Sequence, residues 1–169
     1  DGQAFRIILF DDDKIINLDN SIYSSRHAPV IQVEPNKVYR WVVVSTDESE
    51  IPEITEDGKI LKNNLGNKNI LYASGTIATK EGENPIQVIL KHHRVRYDVM
   101  VDARGVFGSI KSDSEIAIGY MEAANFHSII EHGDLDLLTG EYTNVETVDH
   151  IALGSMMRDT LTSDGSVKK

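Results

Sequence analysis

Residues Val38–Thr46 (VYRWVVVST) constrain the fold more than any other stretch of the chain. The run is β-branched and aromatic almost throughout, so an extended backbone there presents largely apolar side chains on both of its faces. Such a strand belongs in the middle of a sheet, with Trp41 and Val43 on one side and Val42 and Val44 on the other.

Its surroundings repeat the pattern of short apolar runs punctuated by turn residues. Residues 5–10 (FRIILF) stop at Asp11-Asp12-Asp13, whose side chains compete for nearby backbone N–H groups and favour a turn. Residues 30–33 form a second short run, closed by Pro35-Asn36; asparagine tolerates positive φ, so this pair suits a hairpin turn into the next strand. Pro52 and Asp57-Gly58 mark the loop beyond it. Residues 70–79 (ILYASGTIAT) read as another strand, interrupted at Gly75 by a bulge or a bend. In residues 86–102 the inward phase is even through Ile86, Val88 and Leu90, then odd through Val95, Tyr97, Val99 and Val101. A phase change needs one extra residue or a change of sheet. A bent or bulged strand crossing between the layers of a sandwich is favoured over a tight hairpin at 91–94, which lacks Gly, Asn, Asp or Pro.

The last third carries weaker signals. Residues 115–120 read as a strand. Residues 121–130 place Met121, Ala124 and Ile129 at loose helical spacing, and 148–161 bring Val148, Ile151, Ala152 and Leu161 near one helical face, although Gly154 costs about 1 kcal/mol relative to Ala. Between them Leu135 and Leu137 alternate with Asp134 and Asp136, bracketed by Gly133 and Gly140. The expectation is an all-β chain: one antiparallel β-sandwich domain over 1–162, a minor helix in the last third, and a flexible polar tail over 163–169.

Charge and cysteine usage exclude several function classes. The 169 residues carry 27 acidic and 17 basic side chains, a formal net charge of −10 with no basic block, so nucleic acid and anionic membranes are not expected partners. Cysteine is absent, which removes disulfides, thiolate zinc sites and cysteine nucleophiles. No apolar run approaches the ~20 residues of a membrane helix, and the start of the chain shows no signal-peptide pattern.

Candidate chemistry is sparse. His92 and His93 are neighbours on an extended segment and point to opposite faces, so they cannot share a metal; one partly buried and one exposed histidine is expected. Asp134-x-Asp136 resembles the start of an EF-hand loop, but Leu138 and Thr139 stand where Asp or Asn and then Gly belong, so this pair and Asp11–Asp13 read as solvated acidic turns. Arg94 and Arg96, near Lys91, read as a charged ladder that keeps a sheet face soluble. No nucleophile elbow, phosphate loop, dinucleotide glycine fingerprint or H-E-x-x-H is present. No catalytic residue, cofactor or metal is assigned, and the chain is expected not to be an enzyme. An enzyme would need a cleft where several acids and a histidine converge. The most polar-aromatic surface stretch is the Tyr23, Arg26, His27 loop.

The order of motifs FRIILFD, EPNKVYRWVVVST with IPEI after it, NILYASGTI and IQVILKHHRVRYDVMVDA resembles the fimbrillin-like family of Bacteroidetes, the subunits and accessory proteins of surface pili. Pro35 and Tyr39 match the family's turn into an apolar strand, with Asn36 in place of the usual Gly. Ser45 and Pro52 sit where the family's Ser and Pro do, Leu90 and His92 match its Leu-x-His element, and Val95, Val99 and Val101 its alternating continuation. The resemblance covers about residues 5–110 and rests on pattern and order, with no signature chemistry.

The resemblance implies transthyretin-like β-sandwich domains, two in a full subunit. It further implies export to the cell surface and outer membrane as a lipoprotein, trimming near the N-terminus, and assembly with other pilus subunits by strand donation, with a host or bacterial surface ligand as a further partner. This chain is short, as expected of the N-terminal domain with part of the connection or of a compact member, and it lacks the lipidated cysteine and leading strand, as expected of a trimmed form. A sandwich missing a strand exposes unpaired backbone groups and apolar pockets that an extended segment can fill. The expected groove is bordered by 5–10 and 86–101, through Phe5, Ile7, Leu9, Val88, Leu90, Val95, Tyr97 and Val99. The competing reading is a surface glycan-binding sandwich, which calls for an exposed Trp41 beside tyrosines.

Overall fold

The computed structural model describes residues 3–18, 20–46, 50–66, 68–94, 100–102, 115–117, 119–128, 130–148, 151–152, 160–161 and 166–168. Every strand pair described is antiparallel, and the described residues are all-β apart from one short helix. The residues gather into two compact units: Asp1–Arg94 with Asp134–Thr143, and Val95–Gly133 with Asn144–Lys169.

In the first unit, β1 (Ala4–Asp11), β2 (Lys14–Ile15), β3 (Tyr23–Ser24) and β4 (Val38–Thr46) come first, followed by β5 (Lys59–Ile60) and the helix α1 (Lys62–Leu65). β6 (Ile70–Ala78) and β7 (Lys91–His92) complete the principal sheet, whose order is β2-β1-β4-β6-β7 with β3 also on β1. β4 is central, as its composition required: it pairs with β1 from Arg6↔Val44 to Phe10↔Arg40, and with β6 from Val38↔Ala78 to Thr46↔Ile70. Both of its faces are buried, through Val42 and Val44 on one and Tyr39 and Val43 on the other.

The turns follow local chemistry. Asp11↔Lys14 pairing leaves Asp12 and Asp13 as a two-residue hairpin loop, with Asp12 at φ 53°. Asn36 adopts φ 61°, the left-handed conformation that its type allows. Thr79 ties this turn down: its hydroxyl donates to Glu34 O and accepts from Lys37 N–H, while the Glu34 N–H donates to the Tyr39 hydroxyl at 3.2 Å. Residues 28–34 carry no strand, so the run at 30–33 does not pair as expected; Val30 is 87% exposed and nothing there rewards ladder formation.

The register through Gly75 is unbroken, Trp41↔Gly75 lying between Arg40↔Thr76 and Val42↔Ser74, so the expected bulge is absent. The glycine serves a close approach instead. A Cβ there would fall 2.6 Å from Trp41 Cζ2 and 2.8 Å from Cε2, so the indole lies across the bare backbone.

The second layer comes from far along the sequence. β12 (Ile130–Asp136) pairs with β5 through Leu135↔Ile60 and Asp136↔Lys59, and with β13 (Tyr142–Val148). The core between the layers joins Ile8, Phe10, Val42, Val44 and Ile70 to Ile54, Ile60, Leu65, Leu135 and Leu137. Two antiparallel layers closing on one apolar interior make this unit sandwich-like.

In the second unit, β8 (Met100–Asp102), β15 (Thr160–Leu161) and β16 (Ser166–Lys168) form one sheet, and β9 (Glu115–Ile116) pairs with β14 (Ile151–Ala152). Residues 166–168 thus pair as a strand within the segment read as a loose tail. β10 (Gly119–Glu122) and β11 (Asn125–Ser128) make a hairpin, which corrects the helical reading of 121–130. Opposed Met121↔Phe126 and Tyr120↔His127 outweigh three loosely spaced apolar residues, and Ala123 at φ 52° closes the turn. Among the described residues the last third holds no helix; 153–159 lie outside them.

Candidate functional site

Two edges of the principal sheet decide what the first unit can bind. At β6, Thr79 N–H donates to Lys37 O and His93 N–H to Ile70 O, both at 2.8 Å. Hydrogen-bonding direction alternates along a strand, so odd residues of β6 bond toward β4 and even residues turn N–H and C=O away from it. Ile70 and Tyr72 meet the 91–93 segment there. Ser74, Thr76 and Ala78 meet no strand among the described residues, and their side chains are exposed. From Ile70 to Ala78 this edge carries neither charge nor proline.

Before β7 in the chain, Ile86, Val88 and Leu90 are half-buried while Gln87 and Ile89 are exposed, the even phase expected of them, although 86–90 form no ladder. His93 then turns inward: the pairs Leu71↔His92 and Tyr72↔Lys91 carry its neighbours, so no residue is inserted within 91–93. Val95, Tyr97 and Val99 lie outside the described residues, as does Arg96.

At β1 the opposite edge is closed. β3 covers Ala4 and Phe5, β2 covers Phe10 and Asp11, and Tyr23 lies 6.1 Å from Phe5, ring to ring. Between them the Asn17 amide imitates a strand: Leu9 N–H donates to its Oδ1 at 2.6 Å, and its Nδ2 donates to Ile7 O at 3.4 Å. Phe5 and Ile7 are half-buried and Leu9 is buried. The sequence brought Phe5, Ile7 and Leu9 to an edge, but not to the open one.

The remaining candidates have structural partners. His92 is exposed, its Nδ1 3.0 Å from Asn69 Oδ1, and His93 is half-buried between Tyr72 and Tyr142, at 5.0 and 5.6 Å. Burial holds the His93 imidazole below its ordinary pKa, a hydrogen bond with the Gly140 backbone opposes this, and the Arg94 charge reinforces it. Burial likewise raises the Tyr142 phenol. Arg94 donates to Gly66 O and Lys68 O, closing the end of α1. Asp134 accepts the Lys62 N–H at the start of α1, and Asp136 accepts Leu138 and Thr139 N–H and so holds a turn. Arg6, 6% exposed, donates to Ile51 O and Pro52 O and holds that loop on the sheet. In the Tyr23 loop, Arg26 and His27 are exposed.

An open acidic cleft of roughly 660 Å³ is lined by Asp11, Asp12, Asp13, Lys14, Ile15, Glu56 and Asp57. Asp11 is 3.3 Å from Lys37, and Asp57 pairs with Lys59 at 3.0 Å. Hydrogen bonds from Thr55 and Lys59 hold the Asp57 carboxyl below its usual value, while Glu34 and Asp11 raise the Lys37 ammonium. Among the described residues no three His, Asp or Glu side chains group to hold a metal ion. No helix there is long and apolar enough to cross a membrane.

A depressed imidazole has a readable consequence. The unfolded chain takes up the His93 proton first, so the stability contributed by the neutral ring is complete above about pH 6.5 and falls as the pH drops below it. Between pH 7.5 and 5 the thermal midpoint of the parent chain is expected to drop further than that of His93→Phe. Parallel curves for the two proteins would remove the ring from the account.

Set against family models, curated proteins and solved structures, the chain matches none of them.

Proposed function

We propose that the chain is a non-enzymatic structural subunit or accessory adhesin of a bacterial surface pilus, assembling by β-strand donation at the cell surface and outer membrane. In this reading the first unit is the transthyretin-like N-terminal domain that the fimbrillin resemblance implies, and its partners are other pilus subunits. The observation that carries the reading is the β6 edge: Ser74, Thr76 and Ala78 turn their backbone groups to no strand among the described residues, and no charge or proline guards them. An extended segment placed there gains main-chain hydrogen bonds along Ser74, Thr76 and Ala78. The glycan-binding alternative gains no support from the aromatic residues of this unit, because Trp41 is half-buried across Gly75 and Tyr39 is buried.

Thr76→Lys tests this directly, because the side chain is exposed and a lysine on an edge opposes strand addition. The parent chain is expected to form oligomers that resist mild denaturant, alone or with a C-terminal peptide of a companion subunit. Thr76→Lys should abolish them and leave the thermal midpoint within about 2 °C, as surface changes do. A parent chain that stays monomeric in both conditions sinks the reading.

A further inference from the structure

β1 offers the same backbone chemistry as β6 on its outer side, yet the chain has laid its own segment across it. Odd residues of β1 face outward there. Gln3 exchanges bonds with Ser25 at one end, Ile16 N–H donates to Leu9 O at 3.0 Å, and Asp11 pairs with Lys14 at the other end. The closure is thin. β2 and β3 are two residues each, and the described residues between them make no ladder with β1. Its one bridge in the middle is the Asn17 amide, with a short bond to Leu9 and a long one to Ile7 O. Among the described residues, no backbone acceptor outside the strands is recorded for the Ile7 N–H. Ile15 and Leu18 pack against the core, but Ile16 and Ile22 are 39% and 49% exposed. Asn20 adds a second clasp, exchanging two 2.9 Å bonds with the backbone of Ile54.

We infer that residues 14–18 and 20–24 form a releasable strap, fastened by Asn17, which keeps the β1 edge shut against an added strand. The inference rests on the strand-accepting reading above and adds its regulation: β6 is the constitutive edge and β1 the gated one. A displacing strand replaces the strap's backbone bonds to β1, and what release forfeits is the Asn20 clasp on Ile54 and the packing of Ile15 and Leu18. Phe5, Ile7 and Leu9, half-buried or buried under the strap, present their side chains with the alternation that such a strand would read.

The test uses the full chain carrying Thr76→Lys, so that β6 does not contribute. Asn17→Ala is expected to speed hydrogen exchange of the Leu9 amide about tenfold, while Val42 and Val44 of the central strand keep their protection. Asn17→Asp retains the acceptor for Leu9 and should restore most of the protection. Asn17→Ala should also form oligomers. A strap disulfide should suppress them: Ala4 and Ser24 are a non-hydrogen-bonded pair, about 4.5 Å apart at Cα, so Ala4→Cys with Ser24→Cys can close in this cysteine-free chain. Reduction should bring the oligomers back. If Asn17→Ala does not fold, the disulfide chain alone decides: Leu9 must exchange more slowly oxidised than reduced. Uniform acceleration at Leu9, Val42 and Val44 makes Asn17 an ordinary structural residue and overturns the inference. Faster Leu9 exchange without oligomers overturns the gating, while the strand-accepting reading stands or falls separately on Thr76→Lys against the parent.

Discussion

A chain cut after Arg94 will not fold cooperatively, although it contains every strand of the principal sheet. The first unit takes Asp134–Thr143 from beyond that point. Leu135 and Leu137 are 0% exposed in the core, and each is worth about 1.5–3 kcal/mol in apolar burial. Their loss also uncovers Ile60 and Leu65, which share that core, and removes the Tyr72 hydroxyl bond to Leu137 O and the Lys62 N–H bond to Asp134. A net stability of about 5–15 kcal/mol does not survive losses of that size in so small a body. Urea titration of residues 1–94, followed by the fluorescence of Trp41, is expected to show a broad, non-cooperative change. Addition of a synthetic 134–143 peptide in excess should restore a sigmoidal one. A sharp transition for 1–94 alone, at the denaturant midpoint of the full chain, would show that the returning segment is dispensable.

That dependence marks where sequence reading stops. The centrality of Val38–Thr46 was legible because a strand apolar on both faces has no other place to go. The turns at Asp11–Asp13 and Asn36 were legible because their chemistry is local. The partnership of Leu135 with Ile60 was not, since alternation shows which face is buried and never what covers it. The helix α1 escaped notice because one turn is too short to display a period. In 121–130, three apolar residues fitted a helix loosely, and the decisive fact was cross-strand pairing between aromatic side chains.

The candidate edges divide in the same way. Phe5, Ile7 and Leu9 share one parity, and parity was readable; whether that edge is open depends on Asn17, whose amide substitutes for a peptide group without leaving any hydrophobic signature. Two asparagines at Asn17 and Asn20, after a two-residue strand, were the available signal, and it is a faint one. At β6 the sequence did hold a clue: a run from Ile70 to Ala78 without charge or proline is unguarded if it lies at an edge. Only the register shows that it does.

Gly75→Val should destabilise the first unit by about 2 kcal/mol, against the expectation for a strand residue. Valine ordinarily improves a strand, and losing a glycine also reduces the freedom of the unfolded chain, together favouring the substitution by up to about 1 kcal/mol. Here the added Cβ lands 2.6–2.8 Å from the indole of Trp41, and 3.0 Å from its Nε1. Trp41 sits in the central strand between Leu9 and Gly75, so the ring cannot shift along the sheet; it must turn outward and give up its packing. Overpacking of that kind costs about 1–3 kcal/mol, which exceeds the local gain. The cause is testable by removing the ring. In a Trp41→Val background the same Gly75→Val change should become neutral or stabilising, a reversal of sign measurable by circular dichroism in urea. Equal destabilisation in both backgrounds would place the requirement for glycine in the backbone rather than under the indole.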